Sequence, residues 1–124
     1  MSVSGQYLKE VLKQILTSHT ILEKLSDTPG DLEIINREWL KIFGLFRVIT
    51  NKLATYPNSS DVFQELLKRS RYYVENNDFQ REIDTMSQLY SFDPDRLKNI
   101  RLKILESLNE RKLMEKIETI MNKL

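Results

Sequence analysis

The chain has no cysteine. Disulfides and thiolate metal sites are therefore excluded, and the composition fits an intracellular setting, cytoplasmic or nuclear. Its single histidine cannot build a zinc site of the usual histidine and cysteine kind, nor a histidine cluster. Three glycines, none beside another, cannot form a phosphate-cradling loop, which needs backbone amides converging from clustered glycines. No apolar run approaches the roughly 20 residues that a membrane span requires. The opening "MSVSGQYLKEVLKQIL" lacks a charged n-region and carries lysines and a glutamate within its apolar residues, unlike a secretory signal. Serine after Met1 excludes the myristoylation pattern, and the closing "NKL" lacks the small first residue of the peroxisomal S-K-L tail. Asn58-Ser59-Ser60 fits the glycosylation acceptor pattern, which matters only for a secreted chain. A net charge of +1 creates no global field and implies no obligatory hold on nucleic acid or anionic membrane.

What is present is an ordinary globular balance, with 40% hydrophobic and 30% charged residues. That is too apolar for disorder. The 124 residues suit one domain, able to bury roughly two-thirds of the surface exposed on unfolding. Thr28-Pro29-Gly30-Asp31, Tyr56-Pro57-Asn58, Asn76-Asn77 and Phe92-Asp93-Pro94-Asp95 punctuate the chain. Between these breaks, apolar residues recur every three or four positions and never alternately, which predicts helices throughout. Helical-hairpin repeats are not supported, because candidate second copies lack the small residues that let such hairpins stack.

The first predicted helix runs from about Ser4 to Leu25, with Leu8, Leu12, Ile15 and Leu22 in one seam. His19 completes that seam. It suits a ligand or a pH sensor, but its position favours a partly buried residue whose ring nitrogens find hydroxyl or backbone partners. The second helix spans roughly Pro29 to Thr55. Thr28 is placed to cap it, Pro29 suits the first helical position, and Asp31 can return the bond. Leu32, Ile35, Trp39, Ile42, Phe46, Ile49 and Leu53 form an unbroken three–four series, while Ile34, Leu45 and Val48 project roughly opposite. A helix apolar around so much of its circumference is normally surrounded by others. It is expected at the middle of the fold. Gly44, in its polar strip, either permits a close helix approach or is simply tolerated.

A third helix is expected over about Asp61 to Asn76, with Asp61 and Gln64 as a capping pair and Val62, Phe63, Leu66, Leu67, Tyr73 and Val74 as its stripe. Asn77 or Asp78 caps a fourth, whose stripe is Phe79, Ile83, Met86 and Tyr90. Asp93-Pro94-Asp95 opens the fifth with an acidic cap and proline in the first turn. Beyond it, Leu97, Ile100, Ile104 and Leu108 project along one side, and Leu113, Ile117, Ile120 and Leu124 almost opposite. Either one long helix carries its last half onto a second copy or partner, or the chain breaks and Ser107 with Glu110 caps a new helix; the break is preferred. The fold class is therefore all-α, a compact bundle of five or six helices, with residues 110–124 as a candidate terminal helix.

Chemistry is not indicated. Nucleophile-plus-base constellations need a placed base, and the one histidine lies in an aliphatic seam. Glu106 with Glu110 could suit a hard metal ion, but neighbouring Arg111 and Lys112 make solvated pairing the simpler reading, and Asp78 with Glu82 and Asp84 invite the same idea with the same answer. Calcium loops with a central glycine do not occur. No cofactor, metal or small-molecule substrate is implied. Binding is the better class. Two apolar faces, Ile34, Leu45 and Val48 on the back of the central helix and Leu113, Ile117 and Ile120 near the C-terminus, are candidates for docking a partner helix or a second copy. On the third helix, Lys68, Arg69, Arg71 and Tyr72 form a candidate patch for protein or for the phosphates and bases of RNA or single-stranded DNA. Glu65 and Glu75 interrupt it, so a solvated face is the first reading, protein contact the second and nucleic acid the third. Arg96, Lys98, Arg101 and Lys103 scatter around the fifth helix, which weakens the nucleic-acid case. The expected function is a non-catalytic adaptor or complex subunit, with a nucleoprotein subunit as the alternative.

Overall fold

A computed structural model describes residues 4–55 and 60–124. The Tyr56-Pro57-Asn58 break, and Asn58 and Ser59 of the acceptor pattern, lie outside these residues. The described chain is an all-α bundle: α1 (Gly5–Lys24), α2 (Asp31–Ala54), α3 (Asp61–Asn76), α4 (Gln80–Leu89), α5 (Pro94–Asn109), a 3-10 turn over Glu110–Lys112, and α6 (Leu113–Lys123). No helix among the described residues is long and apolar enough to cross a membrane.

The apolar series place α2 where its pattern requires. Leu32, Ile35, Trp39, Ile42, Phe46, Ile49 and Leu53 are all buried, and α2 packs against α1, α3, α4 and α5. Trp39 meets Phe43, Phe79 and Tyr73 with ring centroids 5.1, 5.0 and 6.3 Å apart, and Phe46 stacks at 4.7 Å on Tyr73. Such tilted and edge-on pairs add to the energy of burial alone. Gly44 permits no close approach: a Cβ built on it meets nothing within 4 Å.

Helix starts follow local hydrogen-bond supply, with instructive departures. The Ser4 hydroxyl accepts from the amides of Gln6 and Tyr7, and the Asp93 carboxylate from those of Asp95 and Arg96, with Pro94 in the first turn. Thr28 does not cap α2. The helix starts later, at Asp31, with Gly30 before it and no side-chain cap. Asp31 does return a bond, accepting from the Thr28 amide at 3.0 Å. At α3 the cap is Ser60, whose hydroxyl accepts from the Phe63 amide, and Asp61 is already helical. Asp78 accepts from the Gln80 amide at the start of α4, whereas Asn77 donates back to the Tyr73 carbonyl and closes α3.

Polar ties also cross the bundle. The Arg101 guanidinium makes a two-pronged bond to Asp27, at 2.7 and 2.9 Å, and joins α5 to the α1–α2 connection. This hydrogen bond and the Asp27 charge outweigh burial and hold the Arg101 pKa above its ordinary value. Glu38 is buried between α1 and α2, accepting from the Ser18 hydroxyl at 2.8 Å and from Arg37 at 2.8 Å. Burial alone would raise its pKa. The bonds from Arg37 and Ser18, with the charges of Arg37 and Lys41, outweigh burial and leave the carboxyl below its usual value. His19 differs from expectation: its Nδ1 lies 3.4 Å from Glu23, a carboxylate, and its buried Nε2 has no partner among the described residues.

The chain beyond Asn109 breaks without glycine or proline. Arg111 and Lys112 both adopt left-handed backbone conformations, with φ of 55° and 58°. Ser107 and Glu110 do not cap α6. Ser107 is buried inside α5, and α6 starts from Lys112 with no side-chain cap. The reversal turns α6 back onto α1, α3 and α5. It buries Leu113, Ile117 and Ile120 in the chain's own core, where they form no docking face.

Two stability predictions follow from this packing. Gly44→Ala fills open space inside a helix and should raise unfolding free energy by about 0.5–1 kcal/mol, read from urea denaturation. A depressed carboxyl pKa contributes stability above the unfolded-state value and loses it as pH falls through the folded-state value. The wild-type urea midpoint should therefore decline as pH drops below the ordinary carboxyl value of 4.5, and Glu38→Gln should show a shallower decline over the same range.

Candidate functional site

The α5–α6 reversal faces one side of α3, and a cavity of about 480 Å³ opens between them. From α3 come Glu65, Lys68, Arg69 and Tyr72, which share a helix face at spacings of three and four. Opposite stand Ser107, Glu110, Arg111 and Leu113. Buried Tyr73 and half-buried Asn77 complete the lining.

The Tyr73 hydroxyl lies 2.8 Å from Ser107 Oγ. Because the Ser107 proton is directed at the Ile104 carbonyl, 2.6 Å away, the phenol is the donor. Burial pushes the Tyr73 pKa far up, outweighing the opposing Ser107 bond, so the donor proton is retained. Above this neutral base the charges divide into paired and unpaired. Arg69 bonds to Glu65 at 3.2 Å, one turn away. The Arg111 guanidinium lies over the Tyr72 ring, 4.1 Å from its centroid, an arrangement that supports a cation by the ring's quadrupole. Among the described residues, neither Lys68 nor Arg111 has an ion-pair partner, and Glu110 has none either.

Three of the four residues in the predicted polar patch, Lys68, Arg69 and Tyr72, are thus brought together, and Arg71 is not. It is exposed and lies outside the lining. On the back of α2, Ile34, Leu45 and Val48 are half-buried, and Leu45 packs against the core. Among the described residues, the most exposed apolar side chains lie elsewhere, at the end of α4 and its connection to α5: Leu89 is 67% and Phe92 78% exposed. Phe92 falls outside every three–four series, and that was its signal in the sequence. Beside this turn, Arg96 stacks on Tyr90 at 3.7 Å in a second groove of about 410 Å³.

Sequence reasoning missed Tyr73, Asn77, Ser107, Glu110 and Arg111 as lining residues, and it grouped Leu113 with a different, apolar face. The available signal was the reversal of the apolar seam between Leu108 and Leu113, which requires the intervening residues to form a corner. Chemically the cavity offers groups for recognition: two cations and one carboxylate without an ion-pair partner among the described residues, an aromatic face and a neutral, hydrogen-bonded base. Among the described residues, no group of three or more His, Cys, Asp or Glu side chains could hold a metal ion.

Comparison with known proteins returns no matching family model, no matching curated protein and no matching solved structure.

The left-handed corner beside the cavity generates a separate prediction. Lys112→Gly should stabilise the fold by about 0.5–1 kcal/mol, since relief of the left-handed backbone exceeds the added chain entropy. Lys112→Val should instead cost about 1–2 kcal/mol, because a branched Cβ tolerates that conformation poorly. Equal effects of the two substitutions on the urea midpoint would show that the corner is unstrained.

Proposed function

We propose that this chain is a non-catalytic protein-interaction module that receives a segment of a partner, or of a second copy, in the groove between α3 and the α5–α6 corner. The observation that carries this reading is the convergence of Lys68, Arg69, Tyr72 and Arg111 on one cavity of about 480 Å³. Binding sites for compact ligand groups commonly enclose about 300–1,000 Å³, with a few polar groups over an apolar lining. Tyrosine and arginine are the residue types that dominate interface energetics when they stand in such pockets. The half-buried Ile34, Leu45 and Val48 are secondary to this groove.

A second reading, a nucleoprotein subunit binding RNA or single-stranded DNA, draws support from the Arg111–Tyr72 stack, since stacked planar groups are platforms for bases. Glu65 and Glu110 in the same cavity oppose it. A polyanion would bring successive phosphates against those carboxylates, and the net charge of +1 adds no compensating field.

A photoreactive side chain placed at exposed Glu110, and separately at exposed Lys13 on α1, distinguishes the readings in native cells. The expected result is a discrete protein adduct from position 110, absent from position 13 and reduced when Lys68 and Arg111 are changed to glutamate. A nuclease-sensitive adduct would favour the second reading. Identical adducts from both positions, indifferent to charge reversal, would overturn both.

A further inference from the structure

The groove's unpaired charges specify what kind of partner group it takes, and this inference rests on the protein-interaction reading above. Arg69 is satisfied by Glu65. Lys68 and Arg111 have no carboxylate partner among the described residues. They are also close to one another in the fold: Lys68 sits one turn before Tyr72 on α3, and the Arg111 guanidinium lies on the Tyr72 ring. Stacking fixes the plane of the guanidinium while its N–H edge stays available for a hydrogen-bonded anion. The surplus is small. Two free cations face one free carboxylate, Glu110, and a single negative charge balances the lining.

We infer that the groove recognises a carboxylate of a protein partner, carried on an acidic side chain or at a chain end, with an adjoining apolar side chain. The carboxylate pairs with Lys68 and Arg111. The apolar neighbour rests against Tyr73 and Leu113, both buried at the base. Glu110 and the free amide oxygen of Asn77 accept N–H groups of the same segment. Asn77's own amide nitrogen is committed to the Tyr73 carbonyl at 3.1 Å. This division of charge suits one anion followed by neutral backbone. It does not suit a phosphodiester chain, whose charges repeat at every residue.

The test is an amide-resolved NMR titration of the full chain with three short probes and one oligonucleotide. The probes are acetyl-Gly-Leu-Asp-Leu-Gly-amide, the same peptide with asparagine in place of aspartate, and acetyl-Gly-Leu-Asn-Leu with a free terminal carboxylate. The oligonucleotide is hexathymidylate. Expected is perturbation of the Tyr72, Asn77, Ser107 and Arg111 amides by one or both carboxylate-bearing peptides. The capped asparagine peptide should bind about tenfold more weakly, the loss that accompanies one charge-assisted hydrogen bond. Which carboxylate-bearing peptide binds more tightly assigns the source as a side chain or a terminus. Arg111→Gln and Lys68→Gln should each remove the preference, while Arg71→Gln, outside the cavity, should keep it. Unchanged amide spectra away from the groove confirm that the variants are folded. Equal binding of the capped asparagine peptide, no perturbation by any peptide at about millimolar concentration, or stronger perturbation by hexathymidylate would each overturn the carboxylate assignment. A position-110 protein adduct without carboxylate preference would leave the interaction reading standing and remove this one.

Discussion

The structure depends on the enclosure of Trp39. Its ring is fully buried in α2 and bounded by Phe43 on the same helix, Phe79 ahead of α4, and Tyr73 on α3. A side chain that large is enclosed only when helices pack on several sides of α2, so its burial fixes where α3 and α4 lie. The indole nitrogen has no partner among the described residues. Tyr73 then carries the constraint outward. Its ring belongs to the core through Trp39 and Phe46, and its hydroxyl belongs to the base of the cavity through Ser107. The cavity between α3 and the α5–α6 corner is thus held at fixed depth by the residue that anchors the core.

Much of this architecture was legible in the sequence because helical periodicity is a strong local signal. The seven-residue apolar series of α2 named its buried face residue by residue, and Ser4 and Asp93 carried cap chemistry that needs no tertiary context. Caps that depend on where a turn settles were less legible. Thr28, Pro29 and Gly30 look like a helix start, yet the turn absorbs all three and leaves Asp31 to begin α2. The break near residue 110 was visible as a reversal of apolar phase. Its mechanism was not, because two non-glycine residues in left-handed conformations leave no compositional mark. Consequently Leu113, Ile117 and Ile120 looked like a surplus face, when the corner returns them to the core.

The site was half-legible for the same reason. Lys68, Arg69 and Tyr72 occupy one face of α3, and helical spacing alone groups them. Arg71 stands beside them in print but lies about 100° around the helix from Tyr72 and about 160° from Arg69, outside the groove. Arg111 lies 39 positions beyond Tyr72 in the chain, and no local rule joins them. What unites them is the tertiary corner, and the simplest sequence reading of Arg111 was a solvated partner for nearby glutamates.

The closure of α6 on α1 has a consequence for the cavity. These helices lie at opposite ends of the described chain, and the Leu124 carbonyl stands 3.7 Å from where a methyl group on Gly5 would be. One wall of the groove hangs on the segment between α5 and α6. The cavity is therefore complete only after α6 has docked on α1 and α3, and its shape depends on closure between the two ends of the described chain.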